Sequence, residues 1–520
     1  MTAYHEIFIP FPDVYRLAGP NVFRETIRKE EEETNLLVIP HAFVHELSRI
    51  KREELDFGAE DTLDYLTEEV WKSDRERIDG FVLHRFRDNL HVAYLDDPEI
   101  TLENSEVLIE RIQKNFPSKH PPLCLTNEKE RRLRLDAKGL RIEEPELVQV
   151  DESIVNEGII EGTIQLQSAL YQNKGRISLA DATDILGREL SVHQFVRFLG
   201  RREHEYAIVA GKFEYDRSRG TRVVNVRDLE LRKLERHLKE INKISIGNHK
   251  MDGVLGIHPY DMEQYLALQY GLLNPDVSLL FLCGGQGSGK TLLAYVAAVE
   301  LILWYDKQTR PLRGQSEIKD GGFFKQIVFL KSIDILGGKR REIGFLPGDM
   351  YEKISNHLQS YVDAHGESTL ASKFPFEDMI KHPRFSNQFG EPRSDQAKNA
   401  KINEAAYLPG NMEAVQMTYS GFMRGRTFRD RLVVIDEAQN FTPYELKTII
   451  ERAGEGAKYI VLGDPLQLDN PFCSRKINGL TSGIQHYLRR PYSCLINLTK
   501  NYRHQMSEDA KDWRVYSGGS

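Results

Sequence analysis

A chain of 520 residues, 40% hydrophobic and 28% charged, has the composition of a globular protein with two to four domains and excludes a disordered tail. No apolar run reaches the about 18 residues of a membrane span, no signal-peptide pattern opens the chain, and four scattered cysteines exclude a disulfide framework or zinc ribbon, pointing to a reducing cytoplasm. The net charge of -8 excludes a uniformly basic nucleic-acid glove, but residues 1–150 carry 32 acidic against 21 basic side chains while the remainder is slightly basic, as expected of separate modules.

In chain order, the first module, residues 1–150, alternates helix and strand. Leu36–Pro40 reads as an apolar strand, His41–Ile50 as a helix, Ser105–Asn115 as another helix and Pro121–Thr126 as another strand. Such alternation favours an α/β sandwich with a parallel sheet. Residues 151–245 read as a small β-containing connector. There Glu205–Phe213 and Thr221–Val226 flank the turn signal DRSRG and read as a hairpin, and Arg227–Ile241 reads as a charged, exposed helix. From residue 246 to 520 apolar strands again alternate with helices: Leu279–Cys283, Gln326–Leu330, Leu432–Ile435 and Tyr459–Leu462. Residues 364–410 form a polar stretch with no period, long enough to suggest a functional insertion or lid.

The run Gly284, Gly285, Gln286, Gly287, Ser288, Gly289, Lys290, Thr291 fits G-x-x-x-x-G-K-[ST], after a strand and before the helix Leu292–Leu303. Its backbone N–H groups would cradle the phosphates of ATP, Lys290 would reach the β- and γ-phosphates, and Thr291 would offer its hydroxyl to Mg²⁺. Leu432–Ile435 then delivers Asp436 and Glu437 at a strand end. Asp436 would hold Mg²⁺ through water and Glu437 would polarise the attacking water. Gln467, in Gly463-Asp464-Pro465-Leu466-Gln467-Leu468, would sense the γ-phosphate, and Arg503, in Asn501-Tyr502-Arg503-His504, would reach a phosphate in this site or a neighbour's.

These motifs, DEAQ, GDPLQL and NYRH after a P-loop, resemble the early motifs of superfamily-1 helicases and, more closely, the PhoH-like ATPase family. The blocks GIHPYDMEQYLAL (256–268), GFLPGDMYEKI (344–354), the long run 423–472 and NGLTSGI (478–484) carry the resemblance over roughly residues 250–510. It implies a RecA-like ATPase core, adenine contact by Gln264, and a nucleic-acid or subunit-interface role for Arg424 and Arg426. The P-loop departs from the family's usual GxAGTGKT form but keeps the essential Gly, Lys and Thr.

One branch of that family carries a PIN-type nuclease domain first. LLVIPHAFVHELSRIK (36–51) and LCLTNEKERRLRLDAKGL (123–140) are similar to PIN segments. The resemblance implies a Mg²⁺ or Mn²⁺ site of Asp13, Glu46, Glu103 and Glu128. Prolines surround Asp13, and Glu128 stands where the pattern has Asp. An active nuclease, a binding-only PIN fold and a different fold all stay open. His41 and His45, at i, i+4 spacing, lack a third ligand and read as solvated or packed. The basic cluster Arg131-Arg132-Leu133-Arg134 could grip phosphates electrostatically, but a solvated helical face accounts for it more readily. The aromatic and basic residues of the 205–226 hairpin suit single-strand binding and ordinary packing equally.

The expectation is therefore an ATP-dependent, helicase-like enzyme of the cytoplasm acting on single-stranded RNA, with DNA as the alternative nucleic acid and no membrane partner. Two rivals are an ATPase remodelling a protein partner, with the first module as adaptor, and a nucleotide-switched RNA-binding module. The resemblance to the PhoH-like family points to a homo-oligomeric ring of six subunits.

Overall fold

The computed structural model describes residues 3–25, 34–54, 56–87, 89–101, 104–143, 150–200, 203–216, 221–235, 237–246, 249–303, 324, 326–332, 350–372, 376, 415–419, 427–470, 472–503 and 506. It is a mixed α/β structure with parallel sheets at both ends of the chain.

In the N-terminal sheet the strands Leu90–Leu95, Asn35–Pro40, Ile7–Pro10, Leu123–Leu125 and Arg141–Glu143 lie side by side, all parallel. Ile7, Ile9, Leu36 and Val38 are fully buried, as expected of strands covered on both faces. Three of these strands run into chemistry-bearing residues at their C-terminal ends. Ile7–Pro10 leads to the helix Pro12–Ala18 and Asp13, and Asn35–Pro40 to the helix His41–Glu54 and Glu46. Leu123–Leu125 leads to Thr126, Asn127 and Glu128. An antiparallel hairpin, Arg75–Ile78 with Phe81–Arg87, extends the sheet at one edge. No element was expected here; the overlooked signal is the Asp79-Gly80 pair, where both residues take positive φ (43° and 88°).

The connector forms a five-stranded sheet in which Phe195–Phe198, Glu205–Ala210 and Glu230–Lys233 are antiparallel neighbours. The expected helix over Arg227–Ile241 is absent. Glu230–Lys233 is instead a strand held between Glu205–Ala210 and Arg176–Ser178, flanked by short 3-10 turns. Leu229 and Leu231 face the core at period two, and this tertiary pairing overrides the helical spacing of Leu231, Leu234 and Leu238. Phe213–Asp216 pairs antiparallel with Thr221–Val224, whereas Glu205–Ala210 belongs to the larger sheet.

The C-terminal sheet is parallel throughout, ordered Val415–Tyr419, Gln326–Lys331, Arg431–Asp436, Lys458–Gly463, Leu279–Gly284, Ser493–Leu498. The helix Lys290–Leu303 packs on it. The four strands expected here are present. The 364–410 stretch begins inside the helix Met350–Glu367, and beyond residues 364–372 and 376 it lies outside the described residues.

Candidate active site

The P-loop is built where the strand Leu279–Gly284 hands over to the helix Lys290–Leu303. Gly287 and Gly289 take φ of 77° and 90°, a region side chains avoid. A Cβ on Gly287 would lie 2.1 Å from Asn501 Oδ1 and 2.6 Å from Arg503 Cγ, so the Asn501-Tyr502-Arg503 segment closes directly over the loop. Tyr502 N–H donates to Gly287 O at 2.9 Å and Arg503 Nη1 to Gln286 Oε1 at 3.4 Å. Lys290 Nζ donates to the carbonyls of Gly284 and Gly285 at 2.5 and 3.0 Å. Ser288 Oγ bonds Gly285 O at 2.8 Å, tightening the turn.

Gln264 is buried and spans the loop's far side: its Oε1 accepts Tyr260 N–H at 2.8 Å and its Nε2 donates to Ser288 O at 3.0 Å. The residue expected at adenine therefore also braces the P-loop.

Asp436 and Glu437 emerge from the adjacent region of the sheet, at the end of Arg431–Asp436. Glu437 is a non-glycine residue with φ 54°, a strained conformation of the kind that collects at functional sites. Burial, reinforced by the charge of Asp436, raises its pKa, against the opposing hydrogen bond from Gln439 and the charges of Lys290 and Lys331. Burial lowers the Lys290 pKa, while Glu437, Asp464 and Asp436 pull it back up. One lysine thus faces three carboxylates.

Gln467 donates through Nε2 to Asp464 Oδ2 at 2.7 Å. The sequence reading gave no role to Gln439, the last residue of DEAQ. It is fully buried, donates to Glu437 Oε2 at 2.6 Å and to Gln467 O at 2.8 Å, and accepts Asp464 N–H at 3.0 Å. A single amide thus ties the candidate water-polarising acid to the loop of Asp464 and Gln467. Only its place in the motif signalled this. Lys331 and Tyr361, both beside Asp436, carried no sequence signal at all.

Thr291 and Asp436 fit a Mg²⁺ ion that arrives with nucleotide, because Mg²⁺ takes one or two protein ligands and completes its shell from phosphates and water. Asp436 is buried at a strand end that the loop faces, and it supplies the charge.

The N-terminal acids behave differently. Asp13 is buried and accepts from Thr126 Oγ1 (3.0 Å to each oxygen), Asn127 N–H (2.7 Å) and Arg131 Nη1 (2.8 Å). Arg131 also grips Glu128 at 2.7 Å, and Arg49 clasps both oxygens of Glu46 at 2.9 and 2.6 Å. The Arg49 hydrogen bonds depress the Glu46 pKa, aided by the charges of Arg16 and Arg131. The sheet brings Asp13 and Glu128 together, but around guanidinium groups. Among the described residues no group of three or more His, Cys, Asp or Glu side chains is arranged to hold a metal, and Asp13, Glu46 and Glu128 are each paired with arginine instead. Glu103, Arg424 and Arg426 lie outside the described residues. His41 pairs with Tyr94 and Asp96 rather than forming a ligand pair with His45. Arg131 of the basic cluster is drawn inward by Asp13, whereas Leu133 stands exposed.

A parallel sheet with a P-loop, and two carboxylates on a nearby strand end, fits a P-loop NTPase core in the C-terminal region. Residues 314–513 match the family model described as PhoH-like protein. The chain is 30% identical over 259 residues to Protein PhoH2 of Bacillus subtilis, covering 50% of this chain and 48% of that protein. It is 27% identical over 243 residues to a PhoH-like protein of Synechocystis, 47% of this chain and 56% of that one, and 23% identical over 329 residues to Protein PhoH2 of Mycolicibacterium smegmatis, 63% and 55% respectively. These matches make the C-terminal region similar to PhoH-like proteins and support that family. The chain spans about half the length of the curated relatives it matches. No helix among the described residues is long and apolar enough to cross a membrane, and the four cysteines are free and buried.

Proposed function

We propose that the protein is an ATP-dependent enzyme acting on single-stranded nucleic acid, in the first instance RNA, as a helicase-like or remodelling ATPase. The observation that carries the ATPase reading is the gathering of Lys290, Asp436, Glu437, Asp464 and Gln467 around one P-loop, with Gln439 binding Glu437 to the Asp464–Gln467 loop. The P-loop amides and Lys290 bind and orient the triphosphate, and Glu437 takes up the proton side of water activation. Gln467 reads the γ-phosphate side. Thr291 and Asp436 would hold Mg²⁺, which would supply charge neutralisation for the phosphates.

The N-terminal module acts as an RNA-binding or adaptor domain rather than a nuclease. That reading is favoured by the saturation of Asp13, Glu46 and Glu128 with arginine. A ring of six copies, each arginine (Arg503, Arg426 or Arg424) completing a neighbour's site, would supply charge at the γ-phosphate that a single open core lacks. An arginine supplied in trans is worth about 10³–10⁵ in rate. Light scattering with ATP and Mg²⁺ tests it, and a monomer whose specific activity is independent of concentration speaks against it.

The deciding experiment is steady-state ATPase activity with and without poly-ribonucleotide, with Mn²⁺-dependent cleavage of the same RNA followed in parallel. Strong stimulation without cleavage is expected. Indifference to every polynucleotide would favour remodelling of a protein partner, and Mn²⁺-dependent cleavage lost in Glu46→Ala would restore the nuclease reading.

A further inference from the structure

Asp436 is held by two side chains outside every motif. Its Oδ1 accepts the Glu437 N–H at 3.1 Å, which leaves Oδ2 to be fixed by others. Tyr361, in the helix Met350–Glu367, donates its hydroxyl to Oδ2 at 3.1 Å. The ring of Tyr361 is fully buried and stacks on Phe329 with centroids 3.8 Å apart and planes at 27°, so the hydroxyl has little freedom to leave. Lys331 ends the neighbouring strand, is paired in register with Asp436, and brings its ammonium to 3.6 Å from the same oxygen.

An aspartate carboxylate turns freely about its last torsion unless something holds it. Here the backbone holds one oxygen and a rigid phenol the other, while the lysine offsets a charge that burial would otherwise make costly. Sites of this kind tolerate displacement of only about 0.5 Å before function suffers.

We infer that Tyr361 and Lys331 are positioning residues for Asp436, Tyr361 fixing the orientation of the carboxylate and Lys331 balancing its charge, so that together they set how strongly nucleotide binding depends on Mg²⁺. The inference rests on the ATPase reading above and adds to it two residues that touch neither P-loop nor acid pair in the sequence. It separates their effects by sign. Loss of the Tyr361 hydroxyl frees the carboxylate and weakens the site for a divalent cation. Loss of the Lys331 ammonium removes a positive charge that repels such a cation and strengthens it.

The test uses the full chain, wild type and the variants Tyr361→Phe and Lys331→Met, titrated with a fluorescent ATP analogue in EDTA and across a range of Mg²⁺. Melting temperature and steady-state turnover are measured alongside. In EDTA both variants should bind within about twofold of wild type, because the P-loop is untouched. The Mg²⁺ midpoint for nucleotide binding should rise about tenfold in Tyr361→Phe, the usual effect of losing a partner behind a metal ligand. In Lys331→Met it should fall severalfold, and turnover should drop in both. A merely structural defect would shift both midpoints the same way. Wild-type midpoints in both variants would overturn the inference. Should Tyr361→Phe fail to fold, Lys331→Met, altered at a strand end, decides alone: an unchanged or raised midpoint there overturns it. A wild-type chain that binds no nucleotide would overturn the ATPase reading itself.

Discussion

Asn127 donates its side-chain N–H to the backbone carbonyl of Phe472 at 3.1 Å, joining the acidic end of the N-terminal sheet to the loop beyond Gln467. Asn127 also gives its backbone N–H to Asp13, and Phe472 gives its own to Asn470 Oδ1 at 3.0 Å. Asn470 bonds the carbonyl of Asn440 at 2.9 Å, three residues beyond Glu437. The guanidinium of Arg16 lies 3.8 Å over the Phe472 ring, and Tyr444 O–H bonds Asp61 at 2.7 Å. A hydrogen-bonded path thus runs from one site to the other.

Asn127→Ala tests whether that contact holds the domains together. It removes one hydrogen bond to a carbonyl and leaves the Asp13 bond intact, because that bond comes from the backbone. The expected cost is about 1 kcal/mol. Hydrogen exchange should quicken at residues 126–131 and 472–478 without a change in nucleotide affinity. Protection equal to wild type at both segments would show that Arg16 and Tyr444 carry the interface without it.

Glu437→Gln should leave ATP binding largely intact and slow turnover by about two orders of magnitude or more, as expected for a water-orienting acid. The raised pKa of Glu437 adds a pH signature. Its folded-state pKa lies above the unfolded value near 4.5, so the native state binds the proton more readily than the unfolded chain. As pH falls through the raised pKa toward 4.5, this residue's contribution to the stability of the nucleotide-free protein rises, while turnover falls because the ionised form does the work. Glu437→Gln should flatten both limbs. Stability and turnover that decline together with acid in wild type, unchanged by the substitution, would remove the assignment.

The candidate P-loop site was legible because its pattern is local in sequence: a P-loop needs glycines, a lysine and a strand–helix context within a few residues. Asp436, Glu437 and Gln467 were legible for the same reason, each following a buried strand. Tyr361 and Lys331 were not, since their roles arise only when a distant helix and a neighbouring strand pack against Asp436. The connector misled for a related reason. Leucines at 231, 234 and 238 satisfy a helical period, but Leu229 and Leu231 are taken by a sheet whose other strands come from elsewhere in the chain. At the N-terminal module the acids were found, but of the arginines that pair with them Arg131 was weighed mainly as surface charge and Arg49 was given no role.

Arg131→Met should expose how much that neutralisation matters. Arg131 is mostly buried between Asp13 and Glu128, with its side chain 11% exposed and that of Asp13 5%. Removing the cation leaves Asp13 with hydrogen bonds from Thr126 and Asn127 but no balancing charge. Breaking such a pair from one side costs about 3–5 kcal/mol. Urea unfolding of the full chain should show that loss. A change under about 1 kcal/mol would mean water reaches Asp13 more freely than its burial implies.

Gly158→Ala probes the seam between connector and core. The 3-10 segment Glu152–Gly158 crosses the edge strand Ser493–Leu498, and a Cβ at residue 158 would lie 2.0 Å from the Leu495 carbonyl. That carbonyl cannot retreat, because Leu495 is paired in the sheet with Phe281. The segment is also pinned on both sides. Val150 N–H donates to Lys476 O at 2.7 Å, and Asn497 Nδ2 to Asn156 Oδ1 at 2.8 Å. The added methyl must therefore push the connector off the strand, at a cost of about 1–3 kcal/mol for overpacking. The same strand runs on through Thr499 to Tyr502 and Arg503 over the P-loop, with Thr499 anchored to Glu263. A lower melting temperature should thus come with faster proteolysis near residues 150–160 and weaker binding of a fluorescent nucleotide. A Gly158→Ala chain that melts and binds like wild type would show that the seam yields without disturbing the strand.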